Sequence, residues 1–191
     1  MAKGMTEIRW HARGGQGAKT AATLVAQVAL EEGKCSQGFP EYGPERMGAP
    51  IRGFTRISEG AIRVHCPIEH PDVIVVLDET LIGTAPITDG ATPETVFLVN
   101  SSADPASIRE KLKVTGGTVM CVDATKISID EIGRSIPNTP MIGALIRATG
   151  CISLETMKKD IARKFQKKFG ERVVQGNVRA IERAYQEVRS E

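Results

Sequence analysis

A glycine-rich segment near the start of the chain carries the residue types of an anion-binding loop. An apolar run (residues 8–12) precedes it and an alanine-rich, helix-like stretch (residues 18–30) follows it. Glycine lets the backbone approach a ligand closely, and the unpaired amides at a helix start favour negative charge. The candidate phosphate-binding residues are Arg13, Gly14, Gly15, Gln16, Gly17 and Lys19. The pattern indicates a phosphate site, and a tight turn without a ligand is the alternative.

This segment does not match the two common phosphate motifs. A Walker loop reads G-x-x-x-x-G-K-S/T, and both of its glycines are missing when Lys19 and Thr20 are aligned to its last two positions. A dinucleotide fingerprint reads G-x-G-x-x-G, and Thr20 replaces its third glycine. Asp78 and Asp123 end apolar runs, as many acids do, and neither identifies a Walker-B acid.

The stretch from 34 to 50, KCSQGFPEYGPERMGAP, shows no periodicity and is predicted to be a long loop. Long loops without secondary structure are uncommon in compact domains and are often functional. The polar and turn-forming candidates within it are Tyr42, Gly43, Glu45 and Arg46. A rigid turn at residues 42–44, followed by weak surface ion pairs, is the structural alternative.

The cysteines are too widely spaced to suggest a metal or iron–sulfur site in this chain. There is no C-x2-C pair among Cys35, Cys66, Cys121 and Cys151. Clusters and structural zinc need thiolates that converge from one or two loops, so we expect small buried hydrophobic side chains instead. The segment at 65–70, HCPIEH, gathers several potential ligands, but spacing alone does not predict a metal there.

The elements that must position the glycine segment follow from hydrophobic periodicity. Residues 6–12 are predicted to form a strand, and a helix from Gln16 to Glu32 follows, with Gly33 as its C-terminal cap. Residues 51–58 and 61–66 alternate around the dipeptide EG, which predicts an antiparallel hairpin.

Later segments indicate an α/β chain. The runs DVIVVLD, TVFLVN and TVMCVD are apolar throughout, which is typical of strands covered on both faces. Asp104 and Pro105 begin a short crossover helix. The last third is predicted to be helical, with one helix closed by Gly150, one capped by Ser153 and a final one from about residue 177. We therefore predict an α/β fold, a Rossmann-like mixed sheet flanked by helices, with a helical C-terminal third.

Composition excludes several partner classes. The chain has 25 Lys and Arg against 23 Asp and Glu, and aromatic residues are 4 %. Nucleic-acid binding usually needs a basic stripe with interleaved aromatics, so no nucleic-acid partner is predicted. No run has the length of a membrane span, and the first residues lack a secretory signal, so we expect a cytoplasmic protein with no membrane partner.

Three segments together resemble the gamma subunit of the 2-oxoacid:ferredoxin oxidoreductases, most closely the pyruvate branch. They are ARGGQGAKTAA (12–22), FPEYGPERMGAPIRGFTRIS (39–58) and PNTPMIGALIRATG (137–150). PDVIVVLD and GNVRAIERAY also fit in the expected order, so the resemblance spans nearly the whole chain as one gamma-type domain, residues 1–191. RMGAP stands where an arginine- and glycine-rich version is commoner, which leaves the role of Met47 open.

This resemblance implies a subunit of an oxygen-sensitive enzyme that oxidatively decarboxylates a 2-oxoacid, forms acyl-coenzyme A and reduces ferredoxin. Thiamine diphosphate, Mg and 4Fe–4S clusters are then expected in the partner subunits, which are the thiamine-binding alpha and beta subunits and a ferredoxin-like delta subunit. This chain alone should be inactive, and coenzyme A is the one cofactor that it would contact. No residue of it is expected to be catalytic.

Under the same resemblance, the candidate residues acquire specific roles. Arg13, Lys19 and the loop glycines would cradle the phosphates of coenzyme A. Residues 42–46 would face the ligand or a neighbouring subunit, and Asn138 either belongs to the site or only caps a helix. A purely structural interaction domain and a stand-alone nucleotide-binding enzyme remain alternatives. The 2-oxoacid is also open among pyruvate, branched-chain acids and 2-oxoglutarate.

Overall fold

The computed structural model describes residues 4–41, 48–166 and 169–191. In chain order the strands are β1 (Met5–Arg13), β2 (Cys35–Pro40), β3 (Pro50–Ser58), β4 (Val73–Val76), β5 (Val96–Asn100), β6 (Thr118–Val122) and β7 (Arg189–Ser190). The helices are α1 (Ala18–Glu31), α2 (Pro105–Leu112), α3 (Ala124–Ile132), α4 (Asn138–Thr149), α5 (Leu154–Gln166) and α6 (Glu171–Glu187).

All seven strands form one mixed sheet in the order β2-β3-β1-β4-β5-β6-β7. The central strands β1, β4, β5 and β6 run parallel to one another, while β3, β2 and β7 are antiparallel to their neighbours. This arrangement confirms the predicted α/β class with a mixed sheet and a largely helical C-terminal third. The carboxyl ends of the parallel strands meet at one edge, where ligands of such sheets usually bind.

Apolar side chains cover both faces of the central strands. On one face Trp10 and Val75 pack with residues of the buried helix α4, including Ile142. On the other face Ile74 and Phe97 form a second cluster with residues of α2. Every residue of β4 is buried, which explains why its sequence is apolar throughout rather than alternating.

Two polar residues of β1 are also buried. Arg9 and His11 are each 2 % exposed, and Arg9 Nε donates to His11 Nε2 at 3.1 Å. The Arg9 guanidinium also donates to the carbonyls of Ile87 (2.9 Å) and Asp89 (2.5 Å), and so joins β1 to a crossing loop. Burial, together with the Arg9 and Arg52 charges, lowers the pKa of His11 to about 3, so this imidazole is neutral.

The predicted hairpin of residues 51–58 with 61–66 is wrong. β3 pairs with β1 along its length, from Met5 opposite Ser58 to Arg13 opposite Pro50. Its other edge pairs with β2, which lies inside the stretch predicted to be a loop. Because both edges of β3 are occupied, residues 61–66 have no free edge to join and are assigned to no strand.

Several predicted boundaries shift for local reasons. Helix α1 begins at Ala18 rather than Gln16, because Gly17 precedes it in a left-handed conformation. Helix α6 begins at Glu171, before the predicted residue 177, and α3 was not anticipated. The caps at Asp104, Gly150 and Ser153 are confirmed by their hydrogen bonds or backbone geometry. Among the helices of the described ranges, none combines the length and apolarity that crossing a membrane requires.

Candidate anion-binding site

The glycine-rich loop connects the carboxyl end of β1 to the start of α1, as predicted. Gly15 and Gly17 have φ angles of 98° and 84°, which side-chain-bearing residues rarely adopt. Gln16 makes two hydrogen bonds with the backbone of Arg13. Its backbone N donates to Arg13 O at 3.1 Å, and its side-chain Oε1 accepts from Arg13 N at 2.8 Å. The side chain of Gln16 therefore helps to hold the loop in this conformation.

Gly17 allows two helix starts to approach each other. Asn138, the first residue of α4, is 6 % exposed, and its Nδ2 donates to Gly17 O at 3.4 Å. Pro137 occupies the cap position of α4, and Asn138 Oδ1 accepts from the neighbouring Thr139 N at 2.9 Å. The sequence left open whether Asn138 belongs to the site or only caps a helix. In the structure Asn138 lies against the glycine loop, and it is not the N-cap residue.

The guanidinium of Arg13 is anchored at the mouth of the loop. Its Nε and Nη2 both donate to Thr80 Oγ1, at 3.1 and 2.9 Å, and its Nη1 donates to Gly48 O at 3.2 Å. The side chain is 33 % exposed. An arginine has five N–H donors, and the two others of Arg13 meet no acceptor in the described part of the chain.

Asp78, like Thr80, is a residue of this site that sequence reasoning did not assign. Its Oδ2 accepts from Gln16 Nε2 at 2.8 Å and lies 3.4 Å from Arg13 Nε, while its Oδ1 accepts from Thr80 Oγ1 at 2.6 Å. Burial alone raises the pKa of Asp78, but hydrogen bonds from Thr80 and Gln16, with the charge of Arg13, outweigh it and hold the pKa below its ordinary value. The sequence signal that could have identified it is its position directly after an apolar run. β4 and β1 are parallel neighbours, so residues at their carboxyl ends lie close together.

Lys19 lies on the first turn of α1 and is exposed. Its carbonyl accepts from Thr23 Oγ1 at 2.8 Å. Within residues 4–41, 48–166 and 169–191 its ammonium makes no ion pair or hydrogen bond. The two predicted cations thus flank the loop glycines along the chain, with Arg13 at the end of β1 and Lys19 in the first turn of α1.

One flank of the second candidate segment is tied to the glycine loop and the other to β3. Gly14 N donates to Ala49 O at 2.9 Å, and Gly48 N donates to Gly14 O at 3.2 Å. On the other flank, Glu41 forms a two-pronged ion pair with Arg52, with Arg52 Nη2 at 2.6 Å from Oε1. The four candidates between these flanks lie outside the described residues: Tyr42, Gly43, Glu45 and Arg46.

A polar crevice of about 240 Å³ opens beside the loop, at the carboxyl ends of β4, β5 and β6. Gln16 forms one wall, and Asp78, Glu79 and Asp123 contribute carboxylates. At its base, buried Asn100 donates to Leu77 O at 2.8 Å. The carboxylates disfavour a phosphate inside the crevice, so the loop and its two cations are the better anion site.

The cysteines differ in environment. Cys121 is buried, as predicted, and burial raises the pKa of its thiol to about 11. Cys66 is exposed, so the expectation of a buried side chain was wrong there. In the described ranges, no three His, Cys, Asp or Glu side chains are placed to share a metal ion.

Comparison with known proteins gives a consistent result. The sequence model of the family described as "Pyruvate ferredoxin/flavodoxin oxidoreductase" matches residues 7–187. The chain is 50 % identical over 189 residues to pyruvate synthase subunit PorC of Thermotoga maritima, covering 99 % of this chain and 97 % of that one. It is 42 % identical over 181 residues to the pyruvate/ketoisovalerate oxidoreductases common subunit gamma of Thermococcus kodakarensis, covering 95 % and 96 %.

The fold is likewise similar to a solved structure. The crystal structure of pyruvate oxidoreductase subunit PORC from Thermotoga maritima superposes with a TM-score of 0.87 at 46 % identity, covering 98 % of this chain and 99 % of that one. Similarity therefore extends over the glycine loop, the sheet and the C-terminal helices alike.

Proposed function

This chain belongs to the pyruvate ferredoxin/flavodoxin oxidoreductase family, and we propose that it is the gamma subunit of a pyruvate:ferredoxin oxidoreductase. The observation that carries the proposal is the 50 % identity to a pyruvate synthase subunit across 99 % of the chain. A match of that extent supports one gamma-type domain along the chain. A cytoplasmic location is part of the proposal.

In the proposed reaction, pyruvate loses its carboxyl group as CO2 and the remaining acetyl group joins the thiol of coenzyme A. The two electrons released pass to ferredoxin. Thiamine diphosphate with Mg, bound by alpha and beta subunits, supplies the decarboxylation chemistry, and 4Fe–4S clusters of the complex, including those of a ferredoxin-like delta subunit, carry the electrons. The dispersed cysteines of this chain fit a subunit that leaves cluster binding to its partners.

The part assigned to this chain is to bind the phosphates of coenzyme A and to help assemble the complex. Three features of the described residues support it: amides at the start of α1 and two N–H donors of Arg13 for which these residues offer no acceptor, and the exposed ammonium of Lys19. The backbone of Gly14 to Gly17 lets phosphate oxygens approach, while Asn138 holds the loop against α4. Tyr42, Gly43, Glu45 and Arg46 are proposed to extend this surface toward the ligand or a neighbouring subunit.

The test is an anaerobic affinity purification of this chain from its own host. We expect thiamine- and cluster-bearing subunits to co-purify, and the eluate to reduce a viologen dye with pyruvate only when coenzyme A is present. Recovery of the chain alone, without these subunits or this activity under gentle conditions, contradicts the proposal. Purification under air is the control, since loss of activity there distinguishes an oxygen-sensitive enzyme from inactive protein.

A second candidate is a gamma subunit shared between pyruvate and branched-chain 2-oxoacid enzymes. It is favoured by the 42 % identity to a subunit named as common to pyruvate and ketoisovalerate oxidoreductases. The same purification separates the two. One set of alpha and beta partners with activity on pyruvate supports the first candidate, whereas two sets and added activity on 2-oxoisovalerate support the second.

A further inference from the structure

We propose that Asp78 and Thr80 are positioning residues that orient the Arg13 guanidinium toward a phosphate group of coenzyme A. The inference deepens the proposed function and rests on it. Neither residue belongs to the glycine segment, and both come from the turn after β4. They act on the ligand only through Arg13.

Thr80 provides the direct support of the guanidinium. Its Oγ1 accepts from Nε and Nη2 of Arg13 at 3.1 and 2.9 Å, so one hydroxyl oxygen binds a whole edge of the guanidinium. A hydroxyl can do this only when its own proton points elsewhere. Here the proton is donated to Asp78 Oδ1 at 2.6 Å, which leaves the oxygen lone pairs for Arg13.

Asp78 fixes that arrangement from behind. Its Oδ1 accepts from the Thr80 hydroxyl and also from Thr80 N at 3.0 Å, so one carboxylate oxygen binds both the backbone and the side chain of Thr80. Its Oδ2 accepts from Gln16 Nε2, and Gln16 Oε1 accepts from Arg13 N at 2.8 Å. The backbone and the side chain of Arg13 are thereby held by one connected network.

This network orders the side chain of Arg13, which is not part of the protein core. Arg13 is one-third exposed at the end of β1, where an unsupported arginine samples many rotamers. Fixing it before ligand arrives removes that entropy cost from binding, while two N–H donors stay uncommitted within the described ranges. The expected consequence is a lower Michaelis constant for coenzyme A with no effect on the rate of the chemical step.

The test uses the assembled complex and measures kcat and the KM for coenzyme A separately. Thr80→Val keeps the shape of the side chain but removes the hydroxyl, and should raise this KM about three- to tenfold, the range for one lost hydrogen-bonding contribution. Thr80→Ser retains the hydroxyl and should stay near the original value. Asp78→Asn leaves a single acceptor oxygen, so the bond either from Gln16 or from Thr80 is lost, and it should raise the KM similarly. Assembly and kcat should be unchanged.

The matched control is Asp104→Asn. Asp104 also accepts from the amides of a following turn and from a hydroxyl, that of Ser107, but it lies at the start of α2. It should leave the KM for coenzyme A unchanged. Equal KM values for Thr80→Val and Thr80→Ser overturn the positioning role. If Arg13→Gln also leaves the KM unchanged, the failure lies in the proposed coenzyme A contact, whereas a raised KM for Arg13→Gln alone rejects only the roles of Asp78 and Thr80.

Discussion

A β-carbon on residue 17 would lie 2.5 Å from Nδ2 of Asn138, which is closer than side chains tolerate. The φ angle of Gly17, 84°, adds backbone strain for any other residue. Gly17→Ala is therefore expected to lower the free energy of unfolding by about 3 kcal/mol, combining a left-handed conformation with overpacking. Urea unfolding of the purified chain measures it.

Gly133→Ala is the control for this substitution. Gly133 has a similar φ of 77°, but a β-carbon added there would have no atom within 4 Å. Its cost should be only about 1 kcal/mol, from the backbone conformation alone. Asn138→Ala in the Gly17→Ala background should recover part of the loss. Equal costs at positions 17 and 133 would contradict a contact between Gly17 and α4.

Arg13 and Lys19 provide the test of the coenzyme A contact. Arg13→Gln is expected to raise the KM for coenzyme A about tenfold, since a charge-assisted phosphate contact is lost, and exposed Lys19→Gln about two- to threefold. Both effects should shrink as salt screens the charges. Lys126→Gln, an exposed lysine of α3, is the control and should have no effect. Unchanged KM values with intact assembly would favour a purely structural domain.

The buried His11 makes the stability of the chain depend on pH. Its folded pKa is about 3, against 6.5 in the unfolded chain, so below pH 6.5 protons bind the unfolded state preferentially. This contribution to stability is complete above pH 6.5 and is lost as pH falls toward 3, at up to about 1.4 kcal/mol per pH unit.

His11→Gln keeps an acceptor for Arg9 but removes the titrating group. We expect the free energy of unfolding, measured in urea between pH 7 and pH 4, to fall less steeply with decreasing pH for this variant than for the original chain. The difference should approach about 1.4 kcal/mol per pH unit, the contribution of one proton. His70→Gln, at an exposed position, is the control for replacing a histidine by glutamine. Parallel curves for the original chain and His11→Gln would show that another group controls acid sensitivity.

Arg9 is expected to be required for stability. Arg9→Met removes the donors to His11, Ile87 and Asp89 and leaves buried acceptors without partners, which should cost about 3 kcal/mol or more. Arg9→Lys should cost less, because one ammonium reaches some of these carbonyls. Exposed Arg63→Met should change the free energy of unfolding by less than about 0.5 kcal/mol. Thermal or urea unfolding distinguishes the three, and a neutral Arg9→Met would contradict the buried network.

Sequence predicted those features that neighbouring residues determine. The strand, glycine loop and helix at 5–31 depend on local glycine conformation and apolar periodicity, and they are confirmed. The α/β class follows from apolar runs long enough for strands buried on both faces, and the family resemblance is confirmed by the match over residues 7–187. The ligand role of the glycine segment stays a prediction.

The errors concern contacts between distant segments. A turn-like dipeptide at 59–60 suggested a local hairpin, but β3 instead forms backbone hydrogen bonds with β1 along its full length. These two strands are far apart in the sequence, so no local pattern reveals their pairing. Asp78 was visible only as a strand-end acid, because its hydrogen bond to Gln16 depends on the placing of β4 beside β1. The same reason hides Thr80 from sequence.

The placement of β1 between β3 and β4 also sets the order of events during synthesis. β1 is translated before β3 and β4, so neither of its two pairing partners in the sheet is present when β1 is made. Besides its local contacts, the glycine loop is tied to two later segments, through Ala49 on one side and Asp78 on the other. These two contacts of the loop can therefore both form only after the chain has been translated as far as Asp78, just beyond the end of β4.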